Sequence, residues 1–314
     1  MYKGRLSDTG SLAQTKVNTV EKISIKKFQK YIFRYNYVIH SEGQIDNTIF
    51  KMPIPSDENE KQYISSLKIS PAPKRTYHDG VNNIAEFNFK NVPSGKINIT
   101  VEGLANLRTY DLNTAKALNK NISKEKDLKR YLNSEVLIES DDNYIKRIAR
   151  KIEGKTQEEI VKNIFEYTQK NLKYTPFPGN IGALEALKTK KGKCAEYSAV
   201  MTALCRAKKI PARIVCGNIA REKEQKHNWV EVYFDKYGWV AYDPTVRETI
   251  INIYHNGKLI RQESRLDSSN AYMQYIASSR NEFSPWHLTF VAKGRGNEKI
   301  HVTENLQIKK QNKS

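Results

Sequence analysis

The sequence predicts an α+β protein, because strand-like and helix-like patterns occupy different stretches of the chain. In the first third, the segment "KYIFRYNYVIH" places Tyr31, Phe33, Tyr35, Tyr37 and Ile39 on one side, as a half-buried strand does. Apolar residues then recur at helical spacing through the middle of the chain, and strand patterns return after about residue 210.

The first third is expected to form an antiparallel β-sandwich over residues 17–105, behind a flexible N-terminal segment of residues 1–16. The segments "IAEFNFKNV" and "KINITVE" alternate like the first strand, and turn-rich stretches such as "VPSG" separate them. The exposed positions of these strands carry no set of residues typical of a catalytic or metal site, so this domain is predicted to be a support or binding module.

A connector is predicted over residues 106–135, and two helices follow it. The first lies in "SDDNYIKRIARKIEG", where Ser140 or Asp141 can cap the start and Gly154 can end the helix. The second begins with Thr156 and Glu159, which match the capping-box pattern.

A third helix is predicted from Cys194 to Ala207, after the short helical stretch "GALEALK". The strands "IPARIVCGNIA", "HNWVEVYF" and "GWVAYDP" follow, and "DKYG" between the last two is a tight hairpin turn. We assign residues 136–305, including further C-terminal strands, to a second domain and residues 306–314 to a basic tail.

The chain has 53 Lys and Arg against 34 Asp and Glu, a net charge of +19. Scattered basic residues usually cover solvated faces, and this is the favoured interpretation here. An anionic wall polymer or surface is the alternative partner. No RNA-binding signature and no finger spacing accompanies the charge, so a specific nucleic-acid partner is not predicted.

All three cysteines lie between Lys190 and Gly217, and their even spacing argues against a metal site. Cys205 lies eleven positions after Cys194, and Cys216 eleven positions after Cys205, whereas structural zinc sites use close pairs of cysteines. The apolar settings of Cys205 and Cys216 predict small buried side chains, although the sequence does not tell whether they stay reduced. No calcium-loop pattern is present, so neither a metal nor another cofactor is predicted.

Cys194 is different because it lies where the third helix begins. Unpaired N–H groups and the positive end of the helix dipole stabilise a thiolate at that position. His227 starts one strand and Asp243 ends the next, and the hairpin between those strands would place the two side chains together. A cysteine, a base and an acid that orients the base are the parts of a nucleophilic site.

These residues resemble the transglutaminase-like superfamily over about residues 136–246. The resemblance rests on three blocks in order: "GALEALKTKKGKCAEYSAVMTALCRAKKIPARIVCG", "HNWVEVYF" and "YGWVAYDPT". Residues 17–105 are more loosely similar to the β-domain that precedes this core in many bacterial members.

The resemblance implies a papain-like core in which the nucleophile helix packs on an antiparallel sheet. It also implies that Cys194 is the nucleophile, His227 the base and Asp243 the orienting acid in the attack on a protein or peptide amide, through a thioester. The Cys194 amide is one oxyanion donor, and the second is expected within residues 174–193. Trp229 either walls the site or is ordinary core, and we favour ordinary core.

Two classes of function stay open from the sequence. The first is a hydrolase or acyltransferase acting on protein or peptide substrates, with hydrolysis favoured because water needs no second substrate site. The second is a binding or assembly protein with a vestigial triad. No run approaches the roughly 18 apolar residues of a membrane-spanning helix. The compartment stays open, and since two-part relatives are often exported, an exported mature form is favoured over a cytoplasmic one.

Overall fold

The computed structural model describes residues 28–43, 45–58, 61–92, 94–108, 110–118, 127–176, 180–219, 226–245, 251–255, 258–263, 272–277, 291–294 and 299–311. Between residues 251 and 300 only the backbone is described. The predicted flexible segment 1–16 lies outside these ranges.

Helices concentrate in the middle of the chain and strands on either side of it. The helices are α1 (Leu112–Leu118), α2 (Asn143–Lys151), α3 (Gln157–Asn171), α4 (Gly182–Thr189) and α5 (Cys194–Ala207), with a 3₁₀ helix at Lys129–Leu132. The strands are β1 (Gln29–Glu42), β2 (Ile45–Pro53), β3 (Gln62–Ser70), β4 (Arg75–His78), β5 (Asn83–Val92), β6 (Gly95–Leu107), β7 (Lys173–Tyr174), β8 (Lys191–Gly192), β9 (Ala212–Ile219), β10 (Lys226–Phe234), β11 (Gly238–Tyr242), β12 (Ile251–His255), β13 (Lys258–Glu263), β14 (Tyr272–Ala277), β15 (Val291–Gly294) and β16 (Lys299–Lys310).

The first domain consists of two four-stranded antiparallel sheets, in the orders β16-β1-β6-β3 and β15-β2-β5-β4. Alternate residues of β1, including Phe33 and Ile39, are buried against Phe50 and Phe87 of the other sheet. This shared apolar core explains the period-two pattern of the sequence, because each strand presents one face to the opposite sheet.

The C-terminal strands differ from the sequence assignment, which placed them in the second domain and its tail. Strand β16 pairs with β1 from Glu42↔Lys299 to Tyr31↔Lys310, and β15 pairs with β2. Leu306 and Ile308, assigned to the tail, are buried in the core of the first domain. A period-two pattern can indicate a strand, but it carries no information on which sheet the strand joins.

The helix starts agree with the capping logic, with one correction. Helix α2 is capped by Asp142, not by Ser140 or Asp141, and the Asp142 carboxylate accepts from the Tyr144 N–H at 2.7 Å. That helix ends at Lys151, ahead of Gly154. The Thr156 hydroxyl of α3 accepts from the Glu159 N–H at 3.1 Å, as predicted.

In the second domain, α5 packs on a four-stranded antiparallel sheet in the order β11-β10-β9-β14. The helix is buried from Cys194 to Arg206, and Ile214, Val230 and Val232 line the sheet face of its core. The Cys194–Ala207 helix and the turn after Phe234 lie where the sequence predicts them.

A buried ionic cluster joins the two domains. The Glu231 carboxylate on β10 accepts from the Arg213 guanidinium at 2.8 Å and from the Lys61 ammonium of the first domain. Glu58, also of the first domain, lies 3.8 Å from Arg213. Burial alone would raise the pKa of Glu231, but the two adjacent cations outweigh it and lower that pKa.

Candidate active site

Cys194 is the first residue of α5, and two backbone contacts hold the chain just before it. Strand β8 pairs in parallel with β7, with Gly192 opposite Tyr174. The Glu196 carboxylate, fully buried, accepts from the N–H groups of Lys193 and Ile181, each at 3.1 Å. A glutamate at the third helical position is a recognised cap, and its second contact fixes the start of α4 against α5.

His227 and Asp243 meet because the hairpin returns the chain next to itself. Strands β10 and β11 pair antiparallel, with Val230 opposite Tyr242, so the start of one strand lies beside the end of the other. The His227 Nε2 atom lies 2.7 Å from Asp243 Oδ2, and both side chains are buried. This is the contact that the sequence pattern led us to expect.

Thr245 completes the support of Asp243, and the sequence reasoning gave it no role. Its hydroxyl donates to Asp243 Oδ1 at 2.6 Å, and its N–H donates to the same oxygen at 3.1 Å. A turn in which an aspartate accepts a hydrogen bond from the residue two positions later is common, so the sequence "DPT" could have indicated this contact. With one oxygen held by Thr245, the other is directed at His227.

The Cys194 thiol lies close enough to the His227 imidazole to raise the pKa of that ring, so the three predicted side chains lie together. Burial by itself would lower the pKa of His227, but the hydrogen bonds to Asp243 and Cys194 and their negative charges raise it to about 10. The imidazolium is therefore the favoured form near neutral pH.

The pKa of the Asp243 carboxyl is shifted downward, opposite to that of His227. Burial would raise its pKa, but the hydrogen bonds and charge of His227, together with the two donors of Thr245, hold that pKa below its ordinary value. The carboxylate therefore stays ionised where the imidazole stays protonated, and each stabilises the charge of the other.

The other two cysteines are buried in the core, as their apolar settings predict. All three cysteines are free thiols. Burial raises the pKa of Cys205 to about 12, which disfavours its thiolate. Cys216 accepts a hydrogen bond from the Asn228 amide at 3.3 Å.

Two aromatic residues flank the site. Trp229 is buried with Val215 and Ala241, and its ring lies 6.5 Å from that of His227 in a nearly parallel orientation. It is thus core, as favoured, and also a wall beside the imidazole. Tyr174 is 52% exposed. Partial burial raises its pKa, and the negative charges of Cys194 and Asp243 add to that rise. Its ring therefore lies close to the nucleophile at the protein surface.

No group of three His, Cys, Asp or Glu side chains among the described residues is arranged to hold a metal ion. The chemistry that the arrangement offers is that of a thiol, an imidazole and a carboxylate in series.

A family model for the transglutaminase-like superfamily matches residues 146–244, the segment that contains all three site residues. This segment, about a third of the chain, is transglutaminase-like. This confirms the resemblance drawn from the three sequence blocks, and the α+β architecture with antiparallel sheets agrees with it.

Two solved structures are similar to this chain. The chain is 16% identical to a structure from Cytophaga hutchinsonii named a "Putative Cysteine Protease", with a TM-score of 0.61 over 91% of this chain and 92% of that one. The periplasmic domain of TgpA from Pseudomonas aeruginosa is 15% identical, with a TM-score of 0.36 over 71% of this chain and 89% of that one. At such identities the first structure supports the fold alone.

A curated relative is the uncharacterized protein YebA of Bacillus subtilis (strain 168), which is 38% identical over an alignment 72 residues long. The match covers 18% of this chain and 10% of YebA, so it spans about a tenth of that protein's length. Within the described parts of this chain, no helix combines the length and the apolar character needed to cross a bilayer.

Proposed function

We propose that this protein is a thiol enzyme that cleaves or transfers amide groups of proteins or peptides through a thioester on Cys194. The observation that carries the proposal is the series Cys194, His227 and Asp243, held by Thr245. A nucleophile, a base and an orienting acid in this order are the minimal parts of covalent acyl transfer.

The steps follow from the positions of the protons. His227 takes the thiol proton, and the Cys194 thiolate attacks the amide carbonyl to form a tetrahedral oxyanion. The oxyanion collapses, the C–N bond breaks, and the leaving ammonia or amine takes the proton from the imidazolium. His227 then removes a proton from water or from an acceptor amine, which attacks the thioester and releases the thiol. Asp243 holds the imidazole and stabilises its charge throughout.

Hydrolysis is favoured over cross-linking, because water needs no second binding site. Cys194 and His227 are each only 8% exposed. Transfer to an amine would require the site to admit a second chain while excluding water.

The first test is the labelling rate of Cys194 with iodoacetamide, with the labelled residue mapped by mass spectrometry. We expect selective labelling of Cys194, because an adjacent imidazolium favours a reactive thiolate. The selectivity should be lost in His227→Ala and retained in Cys216→Ser, the matched control. If Cys194 labels no faster than a free thiol, the series of contacts is not functional, and a binding protein with a vestigial triad becomes the better account.

Activity itself is tested by incubating the protein with glutamine-containing and unmodified peptides, with and without an added amine. Released ammonia or new termini without amine incorporation would establish a hydrolase, and incorporation of the amine would establish a transferase. Cys194→Ala should abolish either signal.

We also assign the second oxyanion donor to the Tyr174 hydroxyl. The pairing of Tyr174 with Gly192 brings its ring to the start of α5, where the Cys194 N–H is the other available donor. Tyr174→Phe should lower kcat about 100-fold and leave iodoacetamide labelling of Cys194 unchanged, since labelling needs no oxyanion donor. A parallel loss of labelling would instead give Tyr174 a structural role.

An exported location stays part of the proposal. It rests on the likeness of the two-part organisation to exported bacterial members, and fractionation of the native host tests it.

A further inference from the structure

A cavity of about 600 Å³ lies at the end of α5 opposite to Cys194. The 14 residues of α5, at a rise of 1.5 Å each, place the two ends about 20 Å apart. The lining includes Lys146 and Arg150 from α2, and Lys208 and Lys209 just after α5. Its volume falls within the roughly 300–1,000 Å³ typical of small-ligand sites.

The cavity wall has a marked excess of positive charge. Asp141 is the single acidic residue of the lining, against the four cations named above and Arg206. The Arg206 guanidinium is already compensated, because it donates to the Glu135 carboxylate at 2.8 Å and to the Asn133 carbonyl at 2.7 Å. None of the other four cations forms an ion pair with any residue in the described part of the chain.

The negative charge at helix C-termini is too small to neutralise this positive excess. Cations commonly gather at helix C-termini, where the backbone carries about half a negative charge. Even if the ends of both α2 and α5 face the cavity, they contribute about one negative charge, and Asp141 contributes another. Four cations therefore leave an excess of about two positive charges. Lys146 and Lys208 are also half-buried, where mutual repulsion is screened less than in open solvent.

We propose that this cavity binds a multivalent anion, a molecule or chain segment that carries closely spaced phosphate or carboxylate groups. Arg150 offers a planar fork for one such group, and the three lysines offer point charges around it. Asn133 and Ser140 of the lining supply polar side chains beside the charges. This site is separate from the thiol site and does not depend on the proposed amidase chemistry.

The test is calorimetric titration of the full chain with inorganic pyrophosphate and with citrate, at low and at moderate salt. We expect saturable binding that weakens as salt rises. The variant Lys146→Gln/Arg150→Gln should bind at least about tenfold more weakly, since two charge-assisted contacts are removed. Lys208→Gln is a second, independent variant and should weaken binding in the same direction.

The matched control is Lys151→Gln/Lys155→Gln, which removes the same charge from exposed residues of the same region that do not line the cavity. We expect its affinity to change less than twofold. An equal loss in this control would overturn the proposal, because it would show attraction by the overall charge. The proposal also fails if neither anion binds the wild-type chain at millimolar concentration.

A third arm with linear polyphosphate distinguishes the source of the anion. Tighter binding of the polymer than of pyrophosphate, abolished in the cavity variant, assigns the site to a polymeric anion. Equal affinity per site assigns it to a small one. Because the experiment measures binding, its result does not depend on whether Cys194 is catalytic.

Discussion

The replacement of Asp243 by asparagine tests the electrostatic core of the proposed mechanism. The substitution keeps the shape of the side chain and an oxygen for the Thr245 donors, but it removes the charge that faces His227. The 2.7 Å contact to Nε2 and the burial of both groups mean that solvent cannot replace that charge.

The magnitude follows from the pKa of His227, which is raised from 6.5 to about 10. Each pKa unit corresponds to about 1.4 kcal/mol. Asp243 and Cys194 together produce the rise against the opposing effect of burial. Asp243 contributes more than Cys194, and burial opposes both, so Asp243→Asn should remove at least half of the net rise, which is about two pKa units or about 3 kcal/mol. The imidazolium then forms about 100-fold less readily, and so does the ion pair with the thiol.

Two measurements follow this change directly. In ¹⁵N-histidine NMR, the wild-type His227 ring should stay protonated until about pH 10, and the Asp243→Asn ring should lose its proton about two units lower. Iodoacetamide labelling of Cys194 should also slow, because the ion pair with the imidazolium forms less readily. Asp235→Asn, in the exposed turn after β10, is the control and should alter neither. A folded Asp243→Asn protein with wild-type titration and labelling would refute the coupling.

Three further outcomes are expected. Glu231→Gln should lower the free energy of unfolding by about 3–5 kcal/mol in urea titrations, because it leaves two buried cations with only Glu58 to compensate them; a loss below about 1 kcal/mol would contradict the buried cluster. Gly192→Ala should slow Cys194 labelling, since the added Cβ would lie 2.7 Å from the Glu196 Cβ and must displace the helix start; unchanged labelling would show that this turn is not critical. The kcat/KM for an amide substrate should fall as the pH rises through about 10, where His227 loses the proton that the leaving amine needs; a fall near pH 6.5 would place the imidazole in an unperturbed setting.

Local patterns sufficed for the elements that carry the site. Helix α5 and the β10–β11 hairpin are short-range features, set by periodicity and by a turn of a few residues, so Cys194, His227 and Asp243 could be placed together from the sequence. The Asp142 cap was missed by one or two positions, because three consecutive polar residues offer the same hydrogen-bonding chemistry there.

Long-range partnerships could not be read from the sequence. Lys61 and Glu231 are 170 positions apart, and each resembles an ordinary surface residue until the two domains meet. The sequence predicts further C-terminal strands before a tail at residues 306–314, but β16 extends to Lys310 and its partner is β1, at the other end of the chain. The cations of the cavity likewise come from α2 and from the residues just after α5, and no periodicity predicts how these two segments pack.

The pairing of β1 with β16 makes the second domain an insertion within the first. A ribosome that has synthesised β1 through β6 has not yet made the strand that covers one edge of β1. That edge therefore stays open during synthesis of the roughly 190 residues that separate β6 from β16, and an exposed strand edge invites pairing with other chains. Residues 17–105 expressed alone would keep the open edge permanently. The first domain is thus completed last. Strand β16 can pair with β1 only after the inserted domain has been made and has folded so that its end lies near its start.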